Sequence, residues 1–427
     1  MFLLSPRDMI KDGEVNFRMN ETPTRCFLIA HQGPRVSQDP IKDHLVELNQ
    51  LAMSCGMQVV GQKRLKRPKI SSQTFYGPGQ IEELTLEARA VGARFLICDD
   101  ELSGSQSVAI ERLSKMICMD RTRLILKIFE QRAKTKEAKA QVELARLQYE
   151  LPRLKGVWRH LSRQGGGLGL RGGAGETQLE VERRIYGQKI STLKKELSHV
   201  QRVRETQRSG RSPAIPRVAL VGYTNAGKTS LLKQLTGAGD PQDLLFATLD
   251  TTTRRAWLGP NYDEATGQGT GEPKTCLISD TVGFIRKLPH QLVAAFRSTL
   301  SEVRTSDALL VILDASSPDL GDHLKTVTQT LRTIGCEDDF DLQPRILILN
   351  QVDKLSRPQR LDLAKQFPGA IQMSTRDGLG VDELKDWLRE LVPGPPKPRD
   401  LEWWERGESI PTILRDTQLS LEEAKSF

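Results

Sequence analysis

Residues Gly222–Thr229 read GYTNAGKT, a glycine-bounded loop ending in Lys-Thr, between an apolar run, RVALVG, and a stretch with helical spacing, SLLKQLT. This is the GxxxxGK[ST] spacing, and it carries meaning only when a strand precedes it and a helix follows, as the flanking patterns predict here. The first half of the loop is Gly222, Tyr223 and Thr224. The backbone amides of Asn225, Ala226, Gly227, Lys228 and Thr229 would then wrap a β-phosphate at a helix N-terminus. The Lys228 ammonium would reach the β- and γ-phosphates, and the Thr229 hydroxyl would ligate Mg²⁺. The expected ligand is a nucleoside triphosphate with its metal ion.

Four downstream segments specify the base and the γ-phosphate. Apolar ILIL runs into NQVD, Asn350, Gln351, Val352 and Asp353, at the end of an expected strand, where α/β sheets bind ligands. An Asp353 carboxylate there accepts from guanine N1 and its exocyclic amine, which adenine cannot satisfy. AIQMSTR follows, and Ser374 with Thr375 and Arg376 suits the other edge of the base. CLISDTVGFI supplies Asp280 for Mg²⁺, through water, and the Gly283 amide for the γ-phosphate, while the threonines of FATLDTTTRR cover that phosphate. These elements in this order predict a GTPase using GTP/GDP and Mg²⁺. Many such enzymes orient the attacking water with a Gln just after the glycine; Phe284 stands there and can neither donate nor accept a hydrogen bond, so slow intrinsic hydrolysis is expected.

The elements that must position these residues follow from periodicity. RCFLIA, MQVVGQ, RFLICD and MICMD, at 25–30, 57–62, 94–99 and 116–120, read as buried strands. DHLVELNQLAMSC, GQIEELTLEARAVG and SGSQSVAIERLSK alternate with them at helical spacing, with Gly79 and Ser103 near helix starts. This alternation predicts an N-terminal α/β domain with a largely parallel sheet over residues 1–120. Its YGPG segment reads as a plain turn.

Residues 121–211 are organised differently. Ala140, Leu144, Leu147 and Leu151 form one coiled-coil seam, and Ile190, Leu193, Leu197 and Val200 form another. Two seams joined by a loop predict an antiparallel helical hairpin, a projecting arm with helices over 130–151 and 178–208, roughly 33 Å and 45 Å long at about 1.5 Å per residue. The joining loop, about 163–177, has 7 glycines between 165 and 175. Arg159, Arg163 and Arg171 flank or interrupt them, and Gly165, Gly166 and Gly167 form a run without side chains. Glycine lets a backbone press against a partner and arginine offers forked donors to phosphates, so nucleic-acid contact is expected there; the competing reading is a flexible linker. RSGRSPAIP marks the boundary to a strand-rich domain over 212–392, and PGPPKP opens a short tail, 393–427, with Trp403 and Trp404.

The charge separates along these boundaries. The chain carries 62 Lys+Arg against 54 Asp+Glu, a net +8 over 427 residues. Residues 1–120 are neutral with 15 of each sign, 121–211 hold 22 basic against 9 acidic, and 212–427 hold 25 against 30. All of the basic surplus therefore lies in the expected arm. The longest apolar run, ALLVIL at 308–313, is far short of the roughly 20 residues of a membrane helix, so no membrane partner is expected. The N-terminal sequence lacks the pattern of a secretory signal or transit peptide. Six cysteines without a CxxC pair read as reduced, buried thiols of a cytoplasmic protein, taken to be monomeric.

Over about 25–390 the sequence resembles the HflX family of translational GTPases. The resemblance is carried by QVELARL, GGGLGLRGGAGETQLE, VGYTNAGKT, LFATLDTTTRR and DTVGFIRKLPHQLVAAFRSTL. It implies an N-terminal α/β subdomain, a helical arm and a Ras-like GTPase domain. It also implies binding to the large (50S) ribosomal subunit and its rRNA, and splitting of stalled ribosomes under stress. The switch threonine, a metal ligand, becomes Thr252; Asp250 is followed by three threonines where the family has Pro-Thr, so Thr251 and Thr253 stay open. Four departures stand out: Gln351 replaces the usual Lys of NKxD and loses its charge, predicting weaker nucleotide affinity. RGPGET becomes the longer RGGAGET, a polar insert occupies 259–274, and the C-terminal domain of some members is missing or reduced. A GTP-gated 50S assembly factor or RNA chaperone shares all these motifs, and a regulatory GTPase with an acidic protein partner is the third reading.

Overall fold

The computed structural model describes residues 10–11, 14–15, 23–32, 40–66, 71–164, 174–209, 215–239, 241, 244–262, 269–289, 292, 295–336 and 343–392. The chain divides into two compact units between Ser198 and His199.

The first unit opens with a two-stranded antiparallel ribbon, β1 (Ile10–Lys11) and β2 (Glu14–Val15). Then strands and helices alternate: β3 (Thr24–Gln32), α1 (Pro40–Ser54), β4 (Met57–Lys66), α2 (Pro78–Ala90), β5 (Phe95–Cys98), α3 (Gly104–Ser114) and β6 (Ile117–Asp120). These four later strands form a parallel sheet in the order β4-β3-β5-β6. FLIC and ICMD are buried along their whole length, as strands covered on both faces must be. The expected strands and helices all appear, within a few residues at their ends. Ser103 caps α3: its Oγ accepts from the Gln106 amide at 3.3 Å, and Gln106 Oε1 accepts from the Ser103 amide at 2.8 Å. The YGPG segment is the entry to α2, with Pro78 at the first helical position.

Residues 121–211 form α4 (Arg121–Arg132), α5 (Lys136–Gln164) and α6 (Ala174–Ser209). The helix pair extends beyond the expected bounds at both ends of the loop. The base of α5 is not free-standing: it lies along α3 and α4, and Ala140, Leu144 and Leu147 are buried there. Asp120 is the reason. Its carboxylate caps α4 through the Arg123 amide at 2.8 Å, takes the Leu102 amide at 3.0 Å, and accepts from the Tyr149 hydroxyl of α5 at 2.7 Å. An ion pair with Arg153 at 3.3 Å adds a second tie between α5 and the sheet edge. Tyr186 of α6 donates to Glu150 of α5 at 3.4 Å. Gly165, Gly166, Gly167 and Arg171 lie outside the described residues, and so do the side chains of Arg159 and Arg163.

The second unit contains β7 (Arg217–Gly222), α7 (Lys228–Thr236), β8 (Thr252–Tyr262), β9 (Gly269–Asp280), α8 (Arg297–Arg304), β10 (Ala308–Asp314), α9 (Leu320–Thr333), β11 (Arg345–Asn350), α10 (Arg357–Gln366), β12 (Ile371–Gln372) and α11 (Val381–Leu391). They build a six-stranded sheet in the order β12-β11-β10-β7-β9-β8, parallel except for β8 against β9. Core residues from α7 and α11, including Leu231, Leu232, Leu384 and Leu388, cover one face of β7, β10 and β11. The polar insert lengthens the β8–β9 hairpin, which pairs as far as Tyr262 opposite Gly269. The six cysteines are all buried, and none is disulfide-bonded. Among the described residues no helix is long and apolar enough to cross a membrane.

Candidate functional site

Four parallel strands of the second unit end on the same edge of the sheet, and each delivers one element of the site: β7 the phosphate loop, β9 Asp280, β11 Asn350, and β12 Ser374. Ligands in α/β sheets bind at the carboxyl ends of strands, and the sequence places its polar residues there directly after apolar runs.

The phosphate loop is fixed at its two glycines. Gly222 has φ +156, and a Cβ there would lie 2.0 Å from the Ile312 carbonyl oxygen of the neighbouring strand β10. Gly227 has φ +95, and its Cβ would lie 2.2 Å from Asn350 Nδ2. Neither position can carry a side chain. The loop then enters α7 at Lys228, so its amides stand at a helix N-terminus.

Lys228 is buried, and its ammonium donates to the carbonyls of Tyr223 at 2.8 Å and Gly222 at 3.3 Å. Burial pushes its pKa down to about 8, against an opposing pull from Asp280. Asp280 is also buried, and burial raises its pKa despite Lys228 and the hydroxyls of Thr229 and Thr248. For both partners desolvation outweighs their attraction. Both groups are thus held where burial disfavours their own charge.

Thr229 Oγ1 donates to Asp280 Oδ2 at 2.7 Å, and Thr248 Oγ1 donates to the same oxygen at 3.1 Å, with 2.8 Å between the two hydroxyls. Asp280 Oδ1 has no hydrogen-bond partner although buried, and neither has the hydroxyl of Thr224 nearby in the same cleft. Two hydroxyls around a carboxylate with one oxygen unpartnered form an all-oxygen donor set that suits Mg²⁺. Sequence reasoning did not single out Thr248. Thr252 lies at the start of β8, paired in register with Asp280, and Thr253 spends its hydroxyl on Ser279 at 2.7 Å.

Gly283 sits against the loop: a Cβ there would lie 2.9 Å from both Lys228 Nζ and Thr224 Cα. Phe284 is buried, and its backbone closes the start of the loop, donating to the Gly222 carbonyl at 3.0 Å and accepting from the Thr224 amide at 2.8 Å. Its ring is packing material, and its backbone is a clamp. Tyr223, which also stacks on His323 at 3.7 Å, receives the Arg286 amide on its hydroxyl at 3.0 Å.

The base-side residues converge on the same loop. Asn350 Nδ2 donates to the Ala226 carbonyl at 2.8 Å, and its Oδ1 accepts from the Thr375 amide at 3.1 Å. Gln351 Nε2 donates to the Asn225 carbonyl at 3.1 Å, so the residue that lacks the lysine's charge still contacts the phosphate loop through a neutral amide. Ser374 Oγ lies 3.0 Å from Asp353 Oδ1 and 3.1 Å from Asp377 Oδ2, and accepts from the Asp377 amide at 3.2 Å. Asp377, not anticipated from sequence, thus orients the serine that orients Asp353. Arg376 is exposed.

Three family profiles match the chain: "GTP-binding GTPase N-terminal" over 42–130, "GTP-binding GTPase Middle Region" over 132–211, and "50S ribosome-binding GTPase" over 217–351. GTPase HflX of Magnetococcus marinus is 39% identical over 376 residues, covering 87% of this chain and 83% of the relative. GTPase HflX of Escherichia coli is 39% identical over 366 residues, covering 84% and 81%. A GTP-binding protein of Sulfolobus solfataricus, solved in complex with GDP, aligns at 25% identity over 86% of this chain and 98% of that one, with a TM-score of 0.44. With a P-loop GTPase domain and this identity over most of its length, the chain is a GTP-binding, GTP-hydrolysing enzyme and belongs to the HflX family of GTPases.

Proposed function

We propose that the chain is a Mg²⁺-dependent GTPase of the cytoplasm that binds the large ribosomal subunit as a monomer and separates stalled ribosomes under stress. In this reading residues 1–120, 121–211 and 212–392 act as α/β subdomain, RNA-binding arm and GTPase domain. The observation that carries the RNA contact is the series of exposed basic side chains along α6: Arg183, Arg184, Lys189, Lys194 and Lys195. The matched profile over 217–351 bears the name of a 50S ribosome-binding family, which agrees in kind.

At the nucleotide, the amides of 225–229 hold the β-phosphate, Lys228 moves from its two loop carbonyls to the phosphates, and Asp353 selects guanine. Thr229 and Asp280 would hold Mg²⁺, joined by Thr248 or by Thr252. Held there, Mg²⁺ would supply neutralising charge for the phosphates. Phe284, the residue after Gly283, is buried and cannot orient water, and in this reading the ribosome completes the site.

Co-sedimentation with ribosomes and subunits in each nucleotide state, with light scattering of intact ribosomes, tests this reading. Falling scatter with a non-hydrolysable GTP analogue supports splitting. Binding only to free or immature large subunits would replace it with an assembly role, and no interaction would remove the ribosome from the proposal. Turnover that large subunits leave unchanged would remove the completed-site mechanism.

A further inference from the structure

Gln351 occupies the position where a lysine is usual, yet a lysine is still present at one remove. The chain turns sharply after β11: Gln351 has φ +64 and begins a 3₁₀ turn, Val352–Lys354, in which the Lys354 amide bonds back to the Gln351 carbonyl at 3.1 Å. This fold-back carries the Lys354 side chain over that of Gln351. Lys354 Nζ donates to Gln351 Oε1 at 2.5 Å, while Gln351 Nε2 donates to the Asn225 carbonyl at 3.1 Å. Lys354 is exposed and makes no ion pair among the described residues. Among those residues, its side chain's polar contact is the amide that braces the phosphate loop.

We infer that Lys354, Gln351 and Asn225 form a relay in which a surface ammonium polarises an amide so that the amide grips the phosphate loop as a partial cation. A hydrogen bond accepted from a charged donor strengthens the bond that the same group donates onward. The left-handed backbone at Gln351 is a strained conformation for a residue with a side chain, and it is what aims the side chain back at the loop. Asn350 and Gln351 thus hold two successive loop carbonyls, Ala226 and Asn225, and Lys354 supplies the charge that Gln351 lacks. Lys354 is a positioning residue: its ammonium acts on the loop through the Gln351 amide. The relay rests on the assignment of this cleft as the guanine-nucleotide site.

The test is a double-mutant cycle on the full chain, reading the Kd for a fluorescent GDP analogue. Lys354→Ala should weaken binding about fivefold, the size of one modest hydrogen-bond contribution. Lys354→Arg should stay close to the parent, since it keeps the charge. Gln351→Lys places the ammonium directly on the loop, and in that background Lys354→Ala should cost nothing or gain affinity by removing a like charge. An equal loss in both backgrounds, or no loss in the parent, overturns the relay. Lys228→Ala run alongside tests the underlying reading separately: unchanged GDP binding there would mean that the nucleotide site itself is misplaced.

Discussion

The Asn350 side chain donates to the Ala226 carbonyl across 2.8 Å, and the same side chain sits where a Cβ on Gly227 would have to go. One buried amide therefore couples the phosphate loop to the base-recognising strand end. Its other atom takes the Thr375 amide, so the third base-side element is tied to the same residue.

Removing that amide should disconnect the site. Asn350→Ala leaves the buried Ala226 carbonyl without its partner, at about 1–3 kcal/mol, and also removes the half-buried contact to the Thr375 amide. GDP affinity is expected to fall on the order of a hundredfold, with a lower unfolding midpoint. Gly227→Ala should do the same for a steric reason, through its positive φ and the clash with Asn350 Nδ2. Nucleotide titration and thermal unfolding of both variants check this, and parent-like affinity in either would contradict it.

Lys228 gives nucleotide binding a pH dependence. Its pKa in the free protein is lowered to about 8 by burial, well below the usual lysine value. Bound phosphates stabilise the ammonium and move the pKa back up. Below pH 8 the side chain is charged in both states and binding is flat. Above pH 8 the free protein holds a neutral amine while the complex holds a charged one, so binding takes up a proton. GDP affinity should then fall by up to about tenfold per pH unit above 8. Titrations from pH 7 to 9.5 read the slope, and calorimetry in buffers of different ionisation enthalpy reads the proton. Affinity that rises with pH would contradict the assignment.

Much of this site is legible in the amino-acid sequence, because its chemistry lies in contiguous segments. The loop from Gly222 to Thr229, Asp280 and Asn350 each follow an apolar run that had to be a strand, and the carboxyl end of a strand has a fixed role in a parallel sheet. Contacts made only by folding are not legible in that way. Thr248 belongs to no periodic pattern, and only the path of the chain between α7 and β8 brings it to Asp280. Asp377 and Lys354 act on residues that act on the ligand, and nothing in their spacing announces it. The two seams predict a helical hairpin, but apolar spacing does not say which surface a helix covers. The base of α5 uses its seam against α3 and α4, held there by Asp120 and Tyr149.

The two candidate threonines should separate kinetically. Thr248 contacts Thr229 and Asp280 in the present arrangement, whereas Thr252 lies in register with Asp280 on β8. If Thr252 covers the γ-phosphate when the switch closes, Thr252→Val should cut single-turnover GTP hydrolysis at least tenfold, on the order of one lost charge-assisted contact, while sparing GDP affinity. Thr248→Val should instead shift GDP release and leave hydrolysis nearly intact. The reverse assignment of the two phenotypes would make Thr248 the switch residue.

The first unit depends on a buried ion cluster. Arg121, itself buried, bonds Asp99 at 2.8 Å and also Glu47, and His44 lies 3.5 Å from Asp99. Arg121→Met removes the cation and leaves two buried carboxylates, at about 3–5 kcal/mol. Arg121→Lys keeps a cation beside the two carboxylates and should recover part of that loss. Chemical denaturation of the parent and both variants gives the numbers. An equal loss in Arg121→Met and Arg121→Lys would indicate packing as the cause.

Ribosome binding should be steeply dependent on salt. Residues 121–211 carry 22 basic against 9 acidic side chains, and Arg183, Arg184, Lys189, Lys194 and Lys195 are exposed along α6. Each phosphate neutralised releases condensed counterions, contributing close to one unit to the slope of log affinity against log salt. Lys189→Ala with Lys194→Ala should weaken subunit binding and flatten that slope by up to about two units, with GDP affinity unchanged. The second half matters, since a general folding defect would lower both. A slope the double variant leaves intact would place the RNA contact elsewhere on the arm, whereas a shallow slope in the parent would count against rRNA as the partner.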